Sequence, residues 1–155
     1  MGSLLDSIAG LPVHALVVHA VVVLVPLAAV GAILMVAARG FSRRYASLVV
    51  VIAGVAFASA VVAKESGEQL TKQLGTPTEH AALGQVMPVV ALVLFGLATV
   101  FWLVDRGIPM NRYRPLWLTL LGVAVIVVAL WSIWWTFRVG HSGAEAVWKP
   151  IMARS

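Results

Sequence analysis

The chain has 155 residues, a length that fits one domain, but its composition is not that of a soluble protein. The residues AVILMFWYC make up 61% of it and charged residues 11%, against about 45–50% and about 25% in ordinary globular domains. The mean hydropathy is +1.00, and so little charge cannot cover a water-facing surface. The composition excludes a soluble monomer and a disordered chain, and it predicts a membrane protein.

Several functional classes are excluded by residue types and motifs. Cysteine is absent, so disulfides, thiolate metal sites and cysteine nucleophiles are excluded. The net charge of +5 does not indicate nucleic acid, because the basic residues flank apolar runs and form no continuous basic face. No catalytic triad signature, phosphate loop or dinucleotide fingerprint is present. We assign no catalytic residue and expect a protein that is not an enzyme, or else a redox or electron-transfer protein. The expected main partner is the lipid bilayer.

Four apolar stretches reach or approach the length of about 20 residues that a spanning helix needs. They predict helices at about 12–38, 45–74 (of which 45–63 span the bilayer), 77–104 and 115–138. The runs are too long for buried strands, and they lack the alternation of barrel strands. The expected fold is all-α, a four-transmembrane-helix bundle that forms a single membrane domain over residues 1–155.

The basic residues predict the orientation of the bundle. Two connections, between the first and second helices and between the third and fourth, hold six arginines: Arg39, Arg43, Arg44, Arg106, Arg112 and Arg114. Asp105 is the acid among them, whereas the connection between the second and third helices mixes lysine and glutamate. The positive-inside rule places both arginine connections in the cytoplasm and both termini on the outer side.

Four histidines are the candidate ligands of a cofactor: His14, His19, His80 and His141. In this topology the first three lie at the outer ends of helices, and His141 lies just beyond the outer end of the fourth. His19 lies within the apolar run, about 7.5 Å deeper than His14, and an ionisable residue at such a depth is expected to face the bundle interior. Imidazole is the commonest metal ligand. Several imidazoles could hold copper or zinc, and two facing ones could hold haem b. The alternative that the protein binds no cofactor stays open.

The spacing of these residues limits how they can act together. His14 and His19 point about 140° apart on a regular helix, so each would meet partners on neighbouring helices. Met87 lies on about the same face as His80 and could add a thioether ligand for copper or haem. A methionine in a membrane helix is, however, more often a residue that only packs against its neighbours. Four carboxylates on the same side could orient the imidazoles as hydrogen-bond acceptors: Glu65, Glu68, Glu79 and Glu145.

A weak internal repeat supports a two-hairpin arrangement. His14-Ala15 opens the first helix, which ends in Arg39-Gly40, and His80-Ala81 opens the third, which ends in Arg106-Gly107. An axis along the membrane normal would relate the two hairpins and would set His14 opposite His80.

The histidine pattern leaves three functions open. The first is a haem or transition-metal site for electron transfer or metal handling, and the second a non-catalytic scaffold or accessory subunit of a larger complex. The third is a small transporter, which would require a homo-oligomer. A simpler explanation of the histidines competes with the first function, since His14 and His80 could form hydrogen bonds only to water or lipid headgroups. His141 could similarly belong to a turn after the fourth helix.

Two motifs resemble those of a known family. The segment 14–19, His-Ala-Leu-Val-Val-His, resembles a His-Pro-x-x-Val-His opening, and the segment 140–144, Gly-His-Ser-Gly-Ala, resembles a Gly-His-x-Gly-Gly closing stretch. Both are typical of a bacterial family of predicted four-helix membrane proteins catalogued as a domain of unknown function. Ala15 and Ala144 depart from the pattern. The resemblance implies a multi-pass protein of the bacterial inner membrane whose four histidines belong to the family pattern, but it implies no activity.

Overall fold

The computed structural model describes residues 13–74 and 79–152, with side chains at 16–69 and 79–145. The described chain forms four helices, α1 (Val13–Ala37), α2 (Arg39–Leu74), α3 (Glu79–Asp105) and α4 (Leu116–Met152). Each contains a segment long and apolar enough to cross a membrane, and no strand occurs in these ranges. The all-α fold with four spanning helices is confirmed. The predicted starts of the first and third helices, at 12 and 77, fall outside the described residues.

The helices form a bundle in which chain neighbours are also spatial neighbours. Helix α1 packs against α2 and α4, α3 packs against the same two, and α1 and α3 lie diagonally opposite with little contact. One end, here called the arginine end, comprises residues 35–44 and 104–116. The other, here called the histidine end, comprises residues 13–19, 79–84 and 135–145.

Small residues line the interior and allow close helix packing. Alanines of α1, α2, α3 and α4 are almost completely buried, among them Ala29, Ala53 and Ala129. A Cβ at Gly31 would lie 2.7 Å from Cγ2 of Val49, so α1 and α2 approach too closely there for any other residue to fit without a shift. Large aliphatic side chains cover the outer surface instead. This is the expected arrangement in lipid, where small residues bring helices together and large apolar ones face the acyl chains.

The arginine-rich segment 39–44 is helical, although the sequence predicts a connection there. Helix α2 begins at Arg39 and only Ala38 separates it from α1. Backbone hydrogen bonds continue across the junction, from Ala38 N to Leu34 O (2.9 Å) and from Ser42 N to Ala38 O (3.0 Å). The side chains of Arg39 and Arg43 bond to the connection between α3 and α4.

The fourth helix continues to Met152 instead of ending near 138. His141 therefore lies within α4 and not in a turn after it. Its ring nitrogen Nε2 lies 3.7 Å from Oε1 of Glu145, an i,i+4 pair of the kind that supports a helix. The added turns bring α4 alongside the start of α3.

Candidate functional site

His80 occupies the first turn of α3 and is half-buried against α4. Its Nδ1 lies 3.1 Å from the carbonyl oxygen of Val139 and 3.3 Å from Oγ of Ser142. The Ser142 hydroxyl donates its proton to the Val139 carbonyl at 2.9 Å, so both neighbours of Nδ1 can only accept. Nδ1 therefore carries the proton, and the lone pair of the neutral ring is on Nε2. Histidines that bind metals show the same pattern, in which the second nitrogen donates to a carbonyl or carboxylate.

One glycine packs against the His80 ring, and a second follows His80 in α3. A Cβ at Gly143 would lie 3.0 Å from Cε1 and 3.2 Å from Nδ1 of His80, so the imidazole packs directly on the backbone of α4. Gly84 follows His80 by one helical turn, and a Cβ there would meet no atom within 4 Å. The His80 ring is thus tightly packed against α4 at Gly143. At Gly84, one turn further along α3, there is open space beside the backbone.

His141 lies on the exposed side of α4, with 64% of its side chain accessible. Its ring stacks on Phe137 with a centroid separation of 6.0 Å, and its partner carboxylate is Glu145. Glu145 thus lies beside an imidazole, but the pair is at the surface. Its predicted role of orienting a cofactor ligand stays a prediction.

The prediction that His19 faces the bundle interior is wrong, because its side chain is exposed. The buried positions of this part of α1 are Val21 and Val25, at 5% and 0% exposure. A two-residue offset rotates the side chain by about 200°. His19 consequently shares the exposed surface of α1 with Leu16 and Val23.

The remaining predicted site residues are dispersed. Met87 is 4% exposed and belongs to the hydrophobic core. Glu79 pairs with Arg138 at 3.8 Å, Glu68 pairs with Lys64 at 3.7 Å, and Glu65 is exposed. The side chain of His14 lies outside the described residues. Within 16–69 and 79–145, no three His, Asp or Glu side chains form a group suited to a metal ion.

Trp135 links α3 to α4 beside the His80 contact. Its indole Nε1 donates to the carbonyl oxygen of Leu83 at 3.3 Å. The rings of Trp131 and Trp134 lie 5.7 and 6.0 Å from it, and Arg138 stacks over Trp134 at 5.3 Å. Of these contacts, the Trp135–Leu83 bond crosses from α4 to α3 and joins the two helices one turn below His80.

A second cluster of hydrogen-bonded polar residues, which we did not predict from the sequence, lies at the arginine end. The carboxylate of Asp105 is fully buried. It accepts hydrogen bonds from Nε and Nη2 of Arg114 at 2.8 and 3.1 Å and from Oγ of Ser42 at 2.7 Å. Arg114 also donates to the carbonyls of Met35 (3.0 Å) and Val36 at the end of α1. This ion pair and its hydrogen bonds therefore join the end of α1, the start of α2 and the end of α3 to the segment just before α4.

Two further arginines bind the connection between α3 and α4 through its backbone. Arg39 donates to the carbonyls of Ile108 (3.4 Å) and Pro109 (3.3 Å), and Arg43 donates to those of Arg106 (2.8 Å) and Asp105 (3.2 Å). The guanidinium groups thus add hydrogen bonds to carbonyls at the end of α3 and in the connection, and two of these carbonyls, those of Asp105 and Pro109, also accept a backbone N–H.

One feature of the sequence could have indicated this network. Asp105 is the single acid in the two arginine-rich segments, and it directly follows an apolar run. A carboxylate in that position requires a cationic partner, because an unpaired charge next to the hydrocarbon region is costly. The identity of the partner depended on the bundle, which brings Arg114 and Ser42 to the same point.

Comparison with known proteins gives one family match. The family model described as "Predicted membrane protein (DUF2231)" matches residues 10–152, nearly the whole chain. Curated proteins and solved structures give no match.

Proposed function

The chain belongs to the DUF2231 family of predicted membrane proteins, and we propose that it binds a haem b or a transition-metal ion at its histidine end. The observation that supports this proposal is the position of His80 Nδ1, 3.1 Å from the carbonyl oxygen of Val139, because a neutral ring that donates there has its lone pair on Nε2. Imidazole prepared in this way is a common metal ligand. A bound haem or copper ion would supply one-electron transfer, whereas zinc would fit metal handling.

The arrangement of the helices suggests which residues act with His80. His14 lies in the first turn of α1 at the same end, and α1 is diagonally opposite α3. The side chains of His19 and His141 are both exposed, so neither fits a ligand role beside His80 within a single chain. We therefore propose His80 as the principal ligand, with His14 as the residue that completes the site.

A visible spectrum and the metal content of the protein purified in detergent test this function. We expect wild-type protein to carry haem or a stoichiometric metal ion, and His80→Ala to lose it. His19→Ala is the matched control, since it removes an exposed imidazole and should retain the cofactor. Well-folded wild-type protein that is colourless and metal-free would refute the proposal. Equal losses in both variants would refute the assignment of His80.

We also propose that the histidine end faces the outer side of a bacterial inner membrane. The support is the concentration of arginines at the opposite end. The absence of cysteine makes the test simple, because Gly140→Cys and Arg112→Cys each introduce the only thiol. In intact cells, a membrane-impermeant maleimide should label the first variant at once and the second only after lysis. The reverse pattern would invert the topology.

One observation favours the accessory-subunit function as an alternative. The exposed side chain of His19 lies among Leu16, Val22 and Val23, on a surface that would otherwise contact lipid. The large apolar side chains of this surface, together with the exposed imidazole, give a second chain both apolar and polar groups to contact. If this function is right, His19→Leu should reduce co-purification of a partner or a second copy, and cofactor content should not change. Unaltered assembly would exclude it.

A further inference from the structure

A pocket opens between α2 and α3 at the arginine end, far from the histidines. Its volume is about 200 Å³, and it is lined by the side chains of Ser42, Arg43, Ser47, Trp102 and Arg106. The Ser42 hydroxyl already donates a hydrogen bond to the Asp105 carboxylate. The other four residues offer two guanidinium groups, a hydroxyl and an indole face.

The hydrogen-bond donors around this pocket are only partly used. The Arg106 guanidinium lies 5.4 Å from the centroid of Trp102, and its side chain makes no hydrogen bond within the described part of the chain. Arg43 donates to three carbonyls, those of Asp105, Arg106 and Ile108. A guanidinium has five N–H groups, so two donors of Arg43 remain for a ligand. The Ser47 side chain is exposed.

The charge around the pocket attracts an anion. Six arginines lie at this end, and the nearby carboxylate, Asp105, is already paired with Arg114. The resulting excess of positive charge is concentrated where the apolar span Glu79–Asp105 ends. Phosphate is the anion that best matches neighbouring guanidinium groups, because several of its oxygens can accept from them at once.

The depth of the pocket relates it to the lipid headgroups. Trp102 is one turn inside the end of its span, and indoles favour the interface between hydrocarbon and water. Val51 lies one turn deeper than Ser47 on α2 and is 60% exposed. An acyl chain could therefore lie against α2 below the pocket. Basic pockets between spanning helices are known sites for acidic headgroups.

We propose that this pocket binds a phosphate group, through Arg106, the remaining donors of Arg43 and the Ser47 hydroxyl. The phosphate can come from an anionic phospholipid of the surrounding leaflet or from inorganic phosphate in solution. The site is independent of the proposed cofactor, because none of its residues belongs to the histidine end.

Native mass spectrometry tests both sources. The full chain is released from detergent containing equimolar phosphatidylglycerol and phosphatidylcholine, and separately from detergent containing inorganic phosphate. Arg106→Gln is the test variant. Arg44→Gln is the matched control, since Arg44 is also exposed and stacks on an aromatic ring, Tyr45 at 5.5 Å, but does not line the pocket.

We expect wild type and Arg44→Gln to retain one phosphatidylglycerol, and Arg106→Gln to bind it at least about tenfold more weakly, as the loss of charge-assisted hydrogen bonds implies. Retention of inorganic phosphate with the same dependence on Arg106, but without preference for phosphatidylglycerol, would assign the site to soluble phosphate. Equal loss in the two variants would overturn the proposal, since it would indicate general charge attraction. Failure of the wild type to retain either ligand would also overturn it.

Discussion

Replacement of Asp105 by alanine tests whether the buried ion pair holds the arginine end together. The carboxylate is 0% exposed and accepts three hydrogen bonds, two from Arg114 and one from Ser42. Its removal leaves Arg114, whose side chain is 14% exposed, without its counter-ion. It also leaves the hydroxyl of Ser42, a residue that is 2% exposed, without its acceptor. The variant should therefore lose stability mainly through the charge that remains.

The expected loss follows from the measured cost of breaking such pairs. Removal of one partner of a buried ion pair typically costs about 3–5 kcal/mol. Arg114 keeps its bonds to the carbonyls of Met35 and Val36, which still hold part of its charge in a polar environment. We therefore expect a value near the lower end, about 3 kcal/mol. For a chain of this length, that corresponds to a decrease of about 6–12 °C in the unfolding midpoint, at about 2–4 °C per kcal/mol.

Thermal unfolding in detergent, followed by circular dichroism, gives the comparison. Glu79→Ala is the matched control, because it also removes a carboxylate that pairs with an arginine, but Glu79 is 76% exposed and its pair should contribute at most about 1 kcal/mol. The double variant Asp105→Leu, Arg114→Met should recover part of the loss, since it leaves no unpaired charge. If Asp105→Ala shifts the midpoint no more than Glu79→Ala, the ion pair does not stabilise the bundle as argued.

Two further predictions concern the contacts of α3 with α4. Gly143→Ala should be less stable than Gly140→Ala by about 1–3 kcal/mol in the same unfolding assay, because both gain helix propensity but only the former presses on His80. Equal midpoints would show that the His80 ring is not tightly held. Trp135→Phe should lose about 0.5–1.5 kcal/mol with the bond to Leu83, and an unchanged midpoint would contradict that bond.

The sequence was sufficient to predict the four helices because each spanning run is long, apolar and free of central charge. It was not sufficient to place the start of α2, since arginines and Gly40 between two apolar runs are typical of a loop. Their helical conformation depends on carbonyl acceptors in the connection between α3 and α4, which is 62 or more residues away along the chain. Contacts between residues so far apart along the chain leave no local sequence pattern from which they could be predicted.

The same reasoning explains the mixed outcome at the histidines. Helix α1 is apolar on all sides, with valine at buried Val21 and at exposed Val22 and Val23, so the sequence pattern did not indicate which side His19 occupies. His80 was recognised as a candidate, but its contact with Val139 and Ser142 depends on how far α4 extends. The predicted cofactor and ligand set stay predictions.

The arginine end also determines when the protein can complete its assembly. The α1–α2 hairpin is synthesised first, and its Met35 and Val36 carbonyls and its Ser42 hydroxyl have no partners in α3 and α4 until those segments follow. Asp105 and Arg114 emerge nine residues apart, and their pairing joins both hairpins in one step. A chain truncated before Arg114 would leave the acid and the α1 carbonyls unmatched at the membrane boundary. These polar groups are matched only once all four helices are present.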